Sequence, residues 1–321
     1  MRILSGIQPS GRLHVGNFFG MMQPSIRLQE EGEAFYFIAD YHSLTTVQDP
    51  NALKEHVSNV AIDFLACGLD PNKAVFFKQS DVPEVTELSW LLSTVTPMGF
   101  LNRCHSYKEK TERGLEATHG LFAYPVLMAA DILIYDSNVV PVGDDQKQHL
   151  EVTRDIAIKF NNLYGDVFVI PKPKIREDKA RIPGLDGQKM SKSYGNILEI
   201  FGEEKATRKK IMSITTDSTP VEDPKDPSNS IIVDLFGLVA SDQQLEEMKD
   251  DFSKGGVGYG DFKKRLFEAF WEYFGPMREK RKELCQDPQY IENILKDGAA
   301  RAREAATATL KRARHSCGIT S

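Results

Sequence analysis

The chain has 321 residues, 41% of them apolar and 27% charged, proportions of a globular protein of about two domains rather than of a disordered chain. Its net charge of −6 argues against simple nucleic-acid coating, and the scattered cysteines, Cys67, Cys104, Cys285 and Cys317, make no C-x-x-C pair, so neither a zinc site nor a disulfide framework is expected and a reducing cytoplasm fits. Neither a secretory leader nor a membrane span is expected: the start breaks into Ser5 and Gly6, and the most apolar stretch, 120–143, carries Asp131, Asp136, Pro125 and Pro141.

In chain order, Arg2–Ile7 reads as a strand, followed by a Gly/Pro/Ser loop and a helix from about Gly16. Ala34–Ala39 (AFYFIA) is a second strand, leading into the polar run Asp40-Tyr41-His42-Ser43. Leu53, Val57, Val60, Ala61 and Phe64 recur at helical spacing over Asn51–Cys67, with Gly68 as the stop. Val75-Phe76-Phe77 is a third strand; Val139–Val142 and Val167–Ile170 read as two more, separated by a helix over Asp144–Phe160. Strands alternating with helices predict an α/β fold with a Rossmann-like parallel sheet covered on both faces. The pattern changes at Pro171, Pro173, Pro183, Gly184 and Gly187. Beyond them the chain is helical: Asp242–Phe252, Gly260–Phe274, Pro276–Cys285 and a long Ala-rich helix around Gly298–Arg314. The expected division is a catalytic domain over 1–183 and a smaller all-α C-terminal domain over 184–321. The residues from Pro276 to Ser321 hold ten Lys and Arg against six Asp and Glu, a local net of +4 that leaves −10 on the remainder. Such a stretch is commonly a solvated face; it permits RNA contact only if the cations gather on one side.

Two segments carry chemistry. The first, Gly6-Ile7-Gln8-Pro9-Ser10-Gly11-Arg12-Leu13-His14-Val15-Gly16-Asn17, runs from strand through a Gly-rich loop into a helix, aiming backbone N–H groups at an anion. His14 and Asn17 can both donate to phosphate oxygens. Taken alone, H-x-G-x more often marks an ordinary βα loop. The second, Lys189-Met190-Ser191-Lys192-Ser193, places two ammonium groups three residues apart on a short loop between the presumed domains. They suit the charge that develops on a leaving pyrophosphate, and a loop that closes late stabilises the transition state more than the ground state. The two segments in this order are far less expected by chance than either alone.

Together they are the signatures of class I aminoacyl-tRNA synthetases. With YPVLMAADILIY from Tyr124 and PVGDDQKQHLEVTRDIA from Pro141, the chain resembles the bacterial tryptophanyl-tRNA synthetases over nearly its whole length. The resemblance implies ATP contacts from Gln8, Pro9, Ser10, Gly16, Asn17, Gly143, Asp144, Asp145, the backbone of Ile182, and Lys189, Met190, Ser191, Lys192 and Ser193. Gly143 and Asp145 would hold the ribose. Phosphate work would fall to His14, Asn17, Lys189 and Lys192, with Lys110 a further candidate. Tyr124 and Gln146 would bind the α-ammonium, with Met128, Val142 and His42 around the indole. The resemblance also implies Mg²⁺ arriving with ATP, tRNA(Trp) as second substrate, anticodon reading by the helical domain, and a homodimer whose interface lies on the catalytic domain. His14 follows the class motif where many relatives carry Thr, and Asp40-Tyr41-His42-Ser43 departs from the relatives' Asp-Gln-His-Ala.

Specificity turns on Asp131, a lone carboxylate in the apolar helical run Met128–Ile134. An ionised Asp buried without partners is costly, so it either pairs structurally or serves a ligand. The indole N–H is a donor with no acceptor capacity and needs one acceptor in an apolar pocket; the resemblance gives that part to Asp131. The assignment requires Asp131 to be buried beside the nucleotide cleft, neither facing solvent nor locked to a distant arginine. The alternatives are a tyrosyl-tRNA synthetase, a nucleotidyltransferase acting without tRNA, and a catalytically idle RNA-binding paralogue; the first is disfavoured by Asp131, the second by the KMSKS loop and helical domain, the third by His14, Asn17, Lys189 and Lys192.

Overall fold

A computed structural model describes residues 1–9, 11–104, 116–142, 147–175 and 182–319. Strands β1 (Arg2–Ile7), β2 (Glu33–Ile38), β3 (Ala74–Lys78), β4 (Val139–Val142) and β5 (Lys172–Ile175) form one sheet in the order β3-β2-β1-β4-β5, each pairing parallel. The helical segments, in chain order, are α1 (Val15–Asn17), α2 (Gln23–Arg27), α3 (Asp40–Ser43), α4 (Pro50–Ala66), α5 (Glu84–Ser93), α6 (Met98–Leu101), α7 (His119–Leu133), α8 (Lys147–Tyr164), α9 (Glu204–Met212), α10 (Ile231–Phe236), α11 (Asp242–Lys254), α12 (Tyr259–Tyr273), α13 (Gly275–Cys285) and α14 (Pro288–Ser316). The Rossmann-like α/β expectation holds. The order reverses direction beside β1, and ligands of such sheets bind at the carboxyl ends of the strands at that point.

The inner strand β2 is buried on both faces, and its alternate residues feed two cores. Ala34, Tyr36 and Ile38 join α4 and the C-terminal helices; Phe35 and Phe37 join α5, α7 and α8. This is why AFYFI is a continuous apolar run rather than an alternating one.

The local reading needs correction in four places. The first helix is not regular: α1 passes into a π-helical turn, Phe18–Met22, before α2, because Pro24 has no N–H to continue the i→i−4 ladder. Val167–Ile170 is not a strand. The N–H groups of Val167 and Phe168 donate to Asn161 Oδ1, and the Phe168 carbonyl accepts from Asn161 Nδ2, so this segment closes onto α8 while the strand forms later, at Lys172–Ile175. The described part of the helix expected over Asp144–Phe160 runs from Lys147 to Tyr164. The last helix starts ten residues before Gly298, at Pro288, capped by Asp287, whose carboxylate accepts from Tyr290 N–H at 2.9 Å.

That last helix returns to the sheet. Ile291 and Leu295 join one core, while Ala299, Ala302, Ala306, Leu310 and Ala313 join the other, so α14 passes from one side of the sheet to the other beside the outer strand β3. Gly298 makes the crossing possible, since a Cβ there would lie 1.9 Å from the Phe76 carbonyl oxygen. Much of the local positive charge is used in this docking: Arg303 pairs with Glu84, Arg312 with Asp136, Arg314 with Glu87, and Arg281 on α13 with Asp63.

Candidate active site

At the carboxyl ends of β1 and β2 lies a cavity of about 260 Å³ lined by Gly6, Gln8, Phe37, His42, Tyr124, Met128, Asp131, Val140 and His149, among others. Its apolar walls come from the strands and from α7. Asp131, 1% exposed, projects from α7 into this wall. Gln79 donates through Nε2 to both its oxygens, at 2.8 and 2.9 Å, and His42 Nε2 lies 2.8 Å from Oδ2. Burial pushes the Asp131 carboxyl above the ordinary carboxylate range, opposed by the hydrogen bonds from His42 and Gln79. Among the described residues its partners are thus an amide and an imidazole, with no arginine, and it faces neither solvent nor a remote site. Beside it the Tyr124 hydroxyl lies 2.6 Å from His149 Nε2.

The phosphate loop is built from two distant segments in contact. His14 caps α1: its Nδ1 accepts from Asn17 N–H at 3.4 Å, which leaves Nε2 as the N–H of a neutral ring. The ring is held neutral. Burial, then the Lys192 ammonium, lower its pKa from 6.5 to about 4, with Glu199 opposing. Gly16 N–H reaches Met190 Sδ at 3.3 Å, and a Cβ on Gly16 would sit 3.1 Å from the His14 ring and 3.3 Å from Met190 Cβ. A side chain at this position would press the two signature segments apart by a few tenths of an ångström.

Lys189 is exposed and Lys192 half-buried. Burial lowers the Lys192 pKa, while Asp63 and Glu199 oppose the shift. Glu199 is itself bonded by Arg12 and Lys210, both at 3.1 Å. The loop's shape comes from Asn196, 5% exposed, which accepts from Ser191 N–H at 2.8 Å and donates to the Lys189 carbonyl at 3.1 Å and to Asp186 at 2.7 Å. Met190 N–H donates to the Ile182 carbonyl at 3.1 Å. Behind Lys192 lies Asp63, whose carboxyl is raised to about 6 by burial, with the Arg281 guanidinium 2.7 Å away opposing the shift.

The fold therefore brings Asp131, His42, Tyr124, Met128 and Gln8 around one cavity, and His14, Gly16, Asn17, Met190 and Lys192 around one loop. Pro9 is buried at the end of β1, while Ser191 and Ser193 join hydroxyls at 2.8 Å on the loop's outer side. Ser10, Lys110, Gly143, Asp144, Asp145 and Gln146 lie outside the described residues, and Val142 is described only through its backbone in β4. Gln79, His149 and Asn196 were not among the expected residues. Only Gln79 carried a signal: it follows the end of a parallel strand, where such sheets place functional groups. Among the described residues no group of three or more His, Cys, Asp or Glu could hold a metal ion, and no helix is long and apolar enough to cross a membrane.

Residues 1–275 match the family of class I tRNA synthetases for tryptophan and tyrosine (W and Y). The chain is 56% identical to the tryptophan–tRNA ligase of Rhodopirellula baltica, over 99% of this chain and 100% of that one. It is 52% identical to the tryptophan–tRNA ligase of Fusobacterium nucleatum, over 99% and 98%. In structure it is similar to the tryptophanyl-tRNA synthetase of Campylobacter jejuni complexed with ADP and tryptophan, with a TM-score of 0.95 and 48% identity over 99% of this chain and 100% of that one.

Proposed function

The chain belongs to the class I tRNA synthetases of the tryptophan and tyrosine group, and on that premise we propose that it is a tryptophan–tRNA ligase. One observation carries the choice of amino acid: a fully buried carboxylate, Asp131, lines an apolar cavity at the carboxyl ends of the strands. It offers an acceptor to a ring N–H. A tyrosine hydroxyl, donor and acceptor at once, has no need of a site built around a single anion.

The tryptophan carboxylate attacks the α-phosphorus of ATP in line. The bond from the α-phosphorus to the bridging oxygen breaks, releasing pyrophosphate and leaving tryptophanyl-adenylate. No enzyme nucleophile is required, so the chain contributes position and charge. His14 Nε2–H faces the phosphates, which the missing side chain of Gly16 lets approach closely, and Lys192 and Lys189 neutralise the departing charge. Ile182, its carbonyl engaged by Met190, meets adenine through its N–H. Ser10, Lys110 and Gly143–Gln146 join these roles as the family resemblance assigns them. A terminal ribose hydroxyl of tRNA(Trp) then attacks the adenylate carbonyl and AMP leaves.

Mg²⁺ accompanies ATP and supplies charge neutralisation. The donor set fits a metal carried by the nucleotide: the groups described around the loop are N–H and ammonium donors, and the nearby carboxylates Glu199 and Asp63 are bonded by Arg12, Lys210 and Arg281. The helices after residue 184 read the anticodon. Two copies associate through the catalytic part, where Leu44, Trp90 and Met98, which are 55%, 70% and 65% exposed, are apolar side chains suited to burial against a partner. The site of action is the cytoplasm, where charged tRNA is used.

The test is ATP–pyrophosphate exchange with each of the twenty amino acids in turn. Exchange with tryptophan is expected; exchange with tyrosine alone would reassign the substrate, and none with any would leave an idle paralogue or a nucleotidyltransferase acting without tRNA.

A further inference from the structure

Asp131 can serve a ring N–H only if its carboxylate is held in one orientation with a lone pair left for the cavity. Two short elements supply that control. His42 lies on α3, which leaves the end of β2; Gln79 opens a 3₁₀ turn, Gln79–Asp81, at the end of β3. The two are tied together: Asp40, first residue of α3, accepts from Ser80 N–H at 3.0 Å and from Ser80 Oγ at 2.5 Å. Gln79 is 1% exposed, and its backbone carbonyl is taken by Val82 N–H at 3.1 Å. Its side-chain orientation is chosen by the carboxylate, since an amide oxygen turned toward Asp131 would repel it. The consequence is that Gln79 Oε1 is buried with no hydrogen-bond partner among the described residues. Leaving a buried carbonyl unpaired is costly and marks a group placed for another's sake.

We infer that Gln79 is a positioning residue for side-chain recognition: its amide forks onto both Asp131 oxygens and, with His42, aims the remaining acceptor capacity of that carboxylate at the substrate ring N–H. A carboxylate has about four lone-pair sites, so the two donors leave room for a third. Gln79 supplies its bonds without a full charge, so the carboxylate keeps its anionic field for the substrate. Beyond His42, the ionisable groups among the described residues that interact electrostatically with Asp131 are Asp40 and Tyr135. The inference rests on the reading of this cavity as the tryptophan site.

The experiment compares the wild type, Gln79→Ala and Gln79→Glu in pyrophosphate exchange. Each is run with tryptophan and with its analogue bearing sulfur in place of the ring N–H, across the pH range in which the wild type is active. For Gln79→Ala, kcat/KM for tryptophan falls by about 10–10²-fold, the size of one charge-assisted hydrogen bond, while the sulfur analogue changes by less than about 3-fold. Gln79→Glu keeps the shape and, while protonated, the donor. Two carboxyls this close share one proton and keep one of the two bonds, so this variant outperforms Gln79→Ala at about pH 6 and loses tryptophan activity as pH rises. Equal losses for both substrates, or a Gln79→Glu profile parallel to the wild type, would overturn the inference. A wild type that exchanges with another amino acid but not with tryptophan defeats the tryptophan reading instead, and the wild-type arm alone reveals it.

Discussion

The amino-acid cavity and the phosphate loop lie at the same edge of one sheet, yet they are built in opposite ways. Around Asp131 the groups come from the α/β part, Asp131 and Gln79 are buried, and the bonds from Gln79 and His42 are already in place. The phosphate loop joins segments some 175 residues apart through the Gly16–Met190 and His14–Lys192 contacts, with Lys189 in solvent and Lys192 half-buried. Recognition needs an acceptor fixed before the substrate arrives, whereas catalysis needs cations that meet charge only as it develops. The cavity is preorganised and the loop is assembled.

The largest effect tests the preorganised side. Asp131→Ala strands the donors of Gln79 and His42 and removes the indole's acceptor, so kcat/KM for tryptophan in exchange should fall by roughly 10³. Discrimination against phenylalanine should collapse with it, because that ratio depends on a buried polar group left unpaired by the wrong substrate. Intact discrimination would move specificity elsewhere. Next comes the assembled side. Lys192→Ala should slow adenylate formation by about 10² while tryptophan binding, measured by equilibrium titration, changes little. Parallel loss of rate and affinity would make that lysine a structural strut and erase the contrast between the two regions.

Asn196→Ala probes what holds the loop. It removes the acceptor of Ser191 N–H and the donor to the Lys189 carbonyl, bonds that shape the segment without touching substrate. A loss of about 10-fold in exchange rate is expected, and Asn196→Asp should not recover it, because its carboxylate would face the Asp186 carboxylate and the Lys189 carbonyl with no donor for either. If Asn196→Ala matched Lys192→Ala in size, the residue would have to act on the phosphates directly.

Which of these features the sequence displays follows from how each is made. β2 and α4 are legible because burial repeats along them. The true β5 is not: KPKI holds a proline and two lysines, acceptable only because the strand is last in the sheet order, whereas the more apolar 167–170 has its backbone captured by Asn161. The beginning of α14 was signalled by Asp287-Pro288, a cap and an N1 proline, but masked by Gly298, which reads as a breaker and is instead the close crossing of β3. In the site, Asp131 stands out as one charge in an apolar run. Gln79 and Asn196 are ordinary polar residues in sequence, and only the fold shows one forked onto a carboxylate and the other bonded to three parts of a loop.

The smallest effect concerns the neutral ring at the junction of the two regions. His14 has a folded-state pKa of about 4 against an ordinary value of 6.5, so the unfolded chain binds its proton first. The contribution to stability is therefore fully present above pH 6.5 and is lost as pH falls through about 4. Asp63, raised from 3.8 to about 6, works in the opposite sense: it favours the folded state as pH falls across that window, so the wild-type curve alone would blur the two. His14→Asn separates them, since asparagine keeps a cap acceptor for the Asn17 N–H and removes the titration. Between pH 6.5 and about 4 the melting temperature of the wild type should drop more steeply than that of His14→Asn, with the curves parallel above 6.5. Parallel curves over the whole range would mean that the ring titrates alike in the folded and unfolded chain, and below pH 6.5 the loop would then present a third cation to the phosphates beside Lys189 and Lys192.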